Sequence, residues 1–482
     1  MAAGGELDDT ICAVATPVGE GGVGIVRISG RNSLAVAEQV VRLRSGQALR
    51  STASHTLHLA DFIFPSTSTK QSSAASPSGA MTHDVLDEGL VVFMQAPRSF
   101  TAEDVVELHC HGSGLITARL CEACLAAGAR LAQPGEFTKR AFLNGRLDLS
   151  QAEAVLDTIR AKSEQGLKVA QRHLRGELGR EVDRLRLRLL SVLAHVEAGI
   201  DFVEEDIAFV ERTELLGVLQ HTCESIDRML ATAQSGRLLR EGARVVITGR
   251  PNVGKSSLLN RLLREDRAIV TPVPGTTRDL IEESVTWEGL SITLIDTAGI
   301  RRTEDLVETE GIRRTRLAQE DADLILHVLD GQALVGNDPL ADQLDGAAAR
   351  IVVVNKVDVL DASEIPSVLA AAQRLTHDDV LPISTLTGSG IESLKSHIRA
   401  RLFGGGWEAD HGVTVANVRH RTALQQARTA LHHAQEAADH GLQPELIAVD
   451  LRAAADALGE ITGAITSDDV LERIFSEFCI GK

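Results

Sequence analysis

Apolar residues along the first hundred or so positions recur with a period of two, the spacing of half-buried strands. Thr10-Ile11-Cys12-Ala13-Val14 and Gly24-Ile25-Val26-Arg27-Ile28 read as strands, and the cluster Gly19, Gly21, Gly22, Gly24 predicts a glycine loop joining them. No helix signal follows that cluster directly, so it is not a dinucleotide fingerprint. Residues 66–82 are small and polar and predict a mobile surface loop. Strands return at Gly89-Leu90-Val91-Val92-Phe93 and Val105-Val106-Glu107-Leu108-His109, and a helix is expected from about Leu115 to Ala127. The outcome is an α+β domain over residues 1–145.

Over residues 146–240 the period becomes helical. Val182, Leu185, Leu189, Val192 and Val196 form one 3-4 seam, and Leu216, Leu219, Cys223, Ile226, Leu230 and Ala233 form another, as antiparallel bundle helices require. From 241 to 403 short apolar strands alternate with helical segments: Val245-Val246-Ile247, Ser291 to Ile295, Leu324 to Leu329, Ile351 to Val354 and Leu381 to Ile383. That alternation predicts a parallel sheet with helices on both faces. Helical period returns over residues 404–482, with seams Leu424, Ala427, Leu431, Ala434, Ala438 and Ile447, Leu451, Ala454, Leu458, Ile461, Ile465. A lone helical pair buries little, so residues 404–482 are expected to complete the bundle begun at 146, with the α/β domain inserted between the halves.

The chain has 482 residues, and 49 basic against 67 acidic residues leave a net charge of −18. Such a surface repels nucleic acid except at a local basic patch or through a partner. Arg172, Arg175, Arg180, Arg184, Arg186 and Arg188 make the densest basic stripe, which reads either as a solvated helix face or as an RNA-backbone contact. Six irregularly spaced cysteines suit a reducing compartment. No apolar run reaches membrane length and residues 1–20 lack a signal-peptide pattern, so a cytoplasmic location, or an organelle of bacterial ancestry, is expected. Cys121 and Cys124 lack a second pair to complete a zinc site, and His109 and His111 lack a third ligand, so both pairs read as structural or substrate-lining.

Gly249-Arg250-Pro251-Asn252-Val253-Gly254-Lys255-Ser256 follows a strand and opens a helix, the context of a phosphate loop. Its glycines let backbone N–H groups wrap phosphates, Lys255 adds a point charge and Ser256 offers a hydroxyl to Mg²⁺. Asp296-Thr297-Ala298-Gly299 ends the next strand, where a carboxylate reaches Mg²⁺ through water. At Asn355-Lys356-Val357-Asp358 an aspartate can accept from both N1–H and the exocyclic amine of guanine, which adenine cannot match. Ser384-Thr385 supplies a backing loop.

With Gly275-Thr276-Thr277-Arg278-Asp279 between these motifs, the domain resembles Ras-type GTPases of the Era/TrmE group. The flanking stretches Gly21 to Gly30, Ser99-Phe100-Thr101-Ala102-Glu103-Asp104, Pro134 to Phe142 and Phe478-Cys479-Ile480-Gly481-Lys482 extend the resemblance to the MnmE (TrmE) tRNA-modification GTPase family. The resemblance implies GTP contacts at Asn252, Val253, Gly254, Lys255, Ser256 and Ser257, at Thr271, Pro272, Val273, Pro274, Gly275, Thr276 and Thr277, at Asp296, Thr297, Ala298 and Gly299, and at Asn355, Lys356, Asp358, Ser384 and Thr385. It implies Mg²⁺ on Ser256 and Thr277, and K⁺ on Asn252, Thr271, Val273 and Thr276. Ile300 stands where Ras-like enzymes place a water-orienting glutamine, so K⁺ would supply the charge of an arginine finger once two GTPase domains pair. Glu308 would orient the water by analogy, although Glu304, Asp305 and Glu310 are equally acidic neighbours.

The family's first domain binds 5-formyl- or methylene-tetrahydrofolate and dimerises. Arg27, Glu107, Arg146 and Lys482 match its folate positions, Arg146 replacing the usual lysine with a planar fork. Cys479 lies in Cys-Ile-Gly-Lys, which does not fit a prenylation signal. The resemblance puts this thiol near the folate and the modified uridine; a plain buried cysteine is the other reading. The whole implies a multidomain α/β homodimer: an N-terminal α+β folate domain, a split helical bundle and an inserted Ras-like GTPase domain. It would act with an FAD-dependent MnmG/GidA-type partner, in a heterotetramer or larger assembly, to add a carboxymethylaminomethyl-type group at C5 of the wobble uridine of certain tRNAs. The competing reading is an Era-like, GTP-timed ribosome assembly factor.

Overall fold

The computed structural model describes residues 9–17, 19–65, 85–201, 212–265, 282–287, 289–296, 317–335, 349–376, 378–404 and 413–482. Two compact units divide the chain: residues 1–156 with 459–482, and residues 157–458. The expected loop at 66–82 lies outside the described residues.

The first unit is built on a seven-stranded sheet. Its strands are β1 (Ile11–Val14), β2 (Gly21–Ser29), β3 (Val41–Leu43), β4 (Leu57–Ile63), β5 (Val85–Met94), β6 (Val105–Gly112) and β7 (Arg130–Leu131), in the order β3-β4-β5-β6-β2-β1-β7. Only β1–β7 is a parallel pairing. Helices Ser33–Val40 and Gly114–Ala126 bring Val36, Val40, Leu120 and Cys124 onto the strand residues Val26, Ile28, Phe62 and Leu108. The expected glycine loop is corrected here: Gly21, Gly22 and Gly24 belong to β2, with an irregular register between Gly21 and Gly24. Gly24 is needed because a Cβ there would lie 2.4 Å from Cγ2 of Thr117.

Helices Glu136–Leu143 and Asp468–Ser476 complete this unit, Phe475 and Phe478 packing with Leu149 and Leu156. Arg140, only 1% exposed, is ringed by Asp9 (2.5 Å), Glu136 (3.0 Å) and Glu103 (3.2 Å). A buried guanidinium is tolerated because carboxylates replace the water it gives up.

In the second unit, β8 (Ala243–Thr248), β9 (Glu282–Trp287), β10 (Leu290–Asp296), β11 (Leu324–Asp330), β12 (Arg350–Asn355) and β13 (Asp379–Pro382) take the order β13-β12-β11-β8-β10-β9. All pairings are parallel except β9–β10, an antiparallel edge that the period had not predicted. One face packs Leu258, Leu262, Leu394 and Ile398 against Val245, Ile247, Leu326 and Val353. On the other, Val368 and Ala372 meet Leu329, Val352 and Val354.

The bundle helices are Glu164–Leu174, Glu177–Asp201, Arg212–Ala231, Ala233–Glu241, Val418–Asp439 and Pro444–Thr462. Two capping side chains open the first and fifth: Ser163 Oγ accepts from Gly166 N (3.1 Å) and Asn417 Oδ1 from Arg419 N (2.9 Å). The seam predicted through Leu216, Leu230 and Ala233 is displaced. Leu215, Leu219, Cys223, Ile226 and Met229 are the buried positions, and Ala233 belongs to a separate helix after a break at Thr232. Ile465 likewise falls past the last bundle helix and is exposed. Within the arginine stripe, Arg172 pairs with Glu177 and Arg184 with Glu181, while Arg180 and Arg186 donate to carbonyls.

Candidate functional site

The buried central strand β8 delivers the chain into the loop at Gly249, where φ is +136° and a Cβ would stand 2.3 Å from the Val328 carbonyl oxygen. Gly254, at φ +100°, is similarly enclosed, with Asn355 Nδ2 only 2.2 Å from a Cβ built there. Val253 between them is buried in the core and anchors the loop. Helix Lys255–Glu265 then presents its first N–H groups toward the loop.

Lys255 Nζ donates to the carbonyls of Gly249 (2.8 Å) and Arg250 (2.7 Å), curling its charge over the loop. Ser256 Oγ donates to Asp296 Oδ2 at 2.9 Å. A hydroxyl and a buried carboxylate brought together at the loop's end are the donor set that suits Mg²⁺, one directly and one through water.

Asn355, fully buried, is a strut: its Nδ2 donates to the Val253 carbonyl (2.8 Å) and its Oδ1 accepts from Thr385 N (3.1 Å). The phosphate loop, the Asn355-Lys356-Val357-Asp358 loop and the Ser384-Thr385 loop are thereby tied to one side chain. Asp358 is exposed on a short 3-10 turn beside the strut. Asn252 is also exposed, at φ +64°. Ser257 opens the helix alongside Ser256. Thr271, Pro272, Val273, Pro274, Gly275, Thr276, Thr277, Thr297, Ala298, Gly299, Ile300 and Glu308 lie outside the described residues.

In the first unit the matched folate positions converge. Arg27 Nε lies 2.9 Å from Glu107 Oε1 across the β2–β6 pair. The other carboxylate oxygen faces His109 Nε2 at 3.3 Å. The hydrogen bond with His109, helped by the charge of Arg27, holds the Glu107 carboxyl below its ordinary range against the opposing effect of burial. The Arg27 guanidinium sits 5.4 Å from the Phe100 ring centre and 5.6 Å from that of Phe137, and Arg146 approaches the same Phe100 ring at 5.2 Å.

The segment 479–482 closes this cluster: Phe137 N donates to Lys482 O (3.2 Å), Gly135 N to Cys479 O (3.4 Å) and Arg27 to Gly481 O (3.5 Å). Burial and the nearby Arg27 charge pull the proton affinity of Lys482 down. Arg27 and Lys482 thus lie beside the Glu107 carboxylate, and Arg146 shares the Phe100 ring with Arg27, a set of partners that fits a ligand with an amine-bearing ring and an anionic tail, such as a folate. Sequence reasoning missed Phe100 and Phe137 as partners of Arg27, since nothing local marks an aromatic as a cation's neighbour.

Cys479 is exposed, which removes the buried-cysteine reading. Cys121 and Cys124 are core residues, with Cys12 Sγ 4.0 Å from Cys121 Sγ; the Cys121 contact and burial push the Cys12 thiol up, and burial does so for Cys124. His111 pairs with Asp87 at 2.8 Å.

A strand running into a phosphate loop, a serine–aspartate pair at its end and a guanine-type loop strutted to the phosphate loop define a phosphate-loop nucleotide-binding protein of the GTPase class. The TrmE N-terminus family, described as a GTP-binding protein, matches residues 10–146, and the MnmE helical domain family matches residues 149–479. The tRNA modification GTPase MnmE of Symbiobacterium thermophilum is 47% identical over 477 residues, covering 98% of this chain and 100% of the relative. That of Heliobacterium modesticaldum is 47% identical over 487 residues, with 99% and 100% covered, and that of Moorella thermoacetica 46% over 480 residues, again with 99% and 100%. The chain belongs to the MnmE (TrmE) family of tRNA modification GTPases.

Proposed function

We propose that the chain hydrolyses GTP in a K⁺-dependent manner and, with an FAD-dependent MnmG/GidA-type partner, modifies C5 of the wobble uridine of certain tRNAs in the bacterial cytoplasm. The observation that supports this most is the Asn355 strut, which couples phosphate and base recognition through one buried side chain. Lys255 and the loop N–H groups bind the phosphates, Ser256 and Asp296 hold Mg²⁺ with Thr277, and Asp358 reads guanine. Bound K⁺ would supply positive charge beside the phosphates. Asn252, exposed at the loop's crest, would hold it together with Thr271, Val273 and Thr276, and Glu308 would orient the attacking water. Replacing K⁺ by Na⁺ is expected to slow hydrolysis strongly; equal rates in both salts would remove the role given to Asn252.

In the first unit, Glu107 and Arg27 orient the pterin ring of a tetrahydrofolate, while Arg146 and Lys482 meet its anionic tail. Cys479 lies close enough to Lys482 to affect its charge, which supports a role for the thiol beside that ligand. Homodimerisation would pair two such units and two GTPase domains. The cluster speaks against an Era-like assembly switch, which has no use for it. Mass spectrometry of wobble nucleosides from a deletion strain complemented with this chain and its partner tests the whole reading. Unmodified uridine despite active protein would favour the assembly switch.

A further inference from the structure

The last residue of β11, Asp330, is in register with Asn355 of β12, so the strand pairing carries its carboxylate to the loop that follows Asn355. One carboxylate oxygen accepts from Gln332 N at 3.0 Å, which sets the side chain's direction. The other lies 2.7 Å from Lys356 Nζ. Lys356 itself occupies the left-handed region at φ +65° and ψ +32°, a conformation that costs a lysine free energy unless something holds it. Two residues further on is the exposed Asp358.

We propose that Asp330 is a positioning residue for guanine selection: by clamping Lys356 in its left-handed conformation, it fixes the direction in which Asp358 meets the base. The inference rests on the GTP-binding reading of this site and goes beyond it by adding a residue outside the nucleotide motifs. The ion pair is partly exposed, 36% for the Lys356 side chain and 19% for Asp330, so its worth lies in geometry more than in charge. When the clamp is released, Lys356 and the loop must be ordered again each time a nucleotide binds. Ordering one rotamer-rich side chain corresponds to roughly a fivefold to tenfold loss of affinity.

The test is calorimetric titration of the full chain with GDP and with IDP, whose base lacks the exocyclic amine. Asp330→Asn keeps shape and the acceptor for Gln332 N but turns an amide NH2, which cannot accept from Lys356, toward the lysine and so breaks the clamp. It should weaken GDP about fivefold to tenfold and IDP by clearly less, narrowing the preference for GDP. In a Lys356→Met background the same change should add less than about twofold, because the clamp is already gone. A thermal midpoint close to wild type without nucleotide would accompany this. A GDP-over-IDP preference that survives Asp330→Asn, or full additivity with Lys356→Met, would overturn the clamp alone. Wild-type protein binding neither nucleotide would overturn the reading of the site and the clamp with it.

Discussion

Replacing Gly481 by alanine should weaken binding at the proposed folate cluster without unfolding the unit around it. Gly481 sits at φ +95°, and a Cβ there would lie 2.2 Å from the Val14 carbonyl oxygen and 3.0 Å from the carbonyl carbon. The left-handed conformation costs a side-chain-bearing residue roughly 1–2 kcal/mol, and overpacking adds about 1–3 kcal/mol. Val14 belongs to β1, paired with Val26 of β2 and followed by Ala15 N donating to Ile25 O at 2.8 Å, so its carbonyl resists displacement. The segment 479–482 is held by three long hydrogen bonds of 3.2, 3.4 and 3.5 Å. At about 0.5–1.5 kcal/mol each, they are matched or exceeded by the strain. The segment should therefore lift off, while the buried Phe475 and Phe478 keep the preceding helix docked. Lys482 leaves the cluster with it. One charge-assisted contact of about 1.5–3 kcal/mol corresponds to at least roughly a tenfold loss of affinity for 5-formyl-tetrahydrofolate. Calorimetric titration measures this, with thermal unfolding as control: the midpoint should fall by no more than about 4 °C. Wild-type folate affinity in Gly481→Ala would refute both the role of Lys482 and the ranking of these energies.

Arg140→Ala should cost about 3–5 kcal/mol in urea unfolding, because Glu103 loses the cation that compensates its burial and Glu136 is left with Arg130 alone; a change below about 1 kcal/mol would mean water takes its place. Asn355→Ala removes two hydrogen bonds at once and should weaken GDP roughly thirtyfold, measured by titration against the unaltered chain. Glu107 has a depressed folded pKa, so the stability it contributes is present above its ordinary value of 4.5 and is lost as the pH falls through the lower folded value. Unfolding midpoints of wild type should decline over that acidic window, and Glu107→Gln should flatten the decline.

Period and turn chemistry are local, and what they encode was legible. The β8 strand, the glycine-bearing phosphate loop and the Asn355-to-Asp358 loop were all in place because each is specified by neighbours in the chain. Errors arose where tertiary packing outvoted local preference. Glycines that read as a loop became strand β2, because the stretch pairs with β6 and, at Gly24, the approach of Thr117 leaves no room for a side chain. The seam of helix Arg212–Ala231 held at Leu219, Cys223 and Ile226 but shifted by one position at its ends, to Leu215 and Met229, since a helix stripe is wide enough for its neighbours to choose which edge is buried.

By itself, then, the amino-acid order determined the class of ligand and its guanine base, through motifs whose residues are chain neighbours. Only the folded structure decided that Arg27, Phe100, Glu107 and Lys482 share one cluster, joining Arg27 to a carbonyl 454 residues away, and that Asp330 grips Lys356. Such meetings depend on strand register and on which faces pack. A register shift of one residue would turn Arg27, Glu107 or Asp330, each on a strand, to the other face while leaving each local pattern intact.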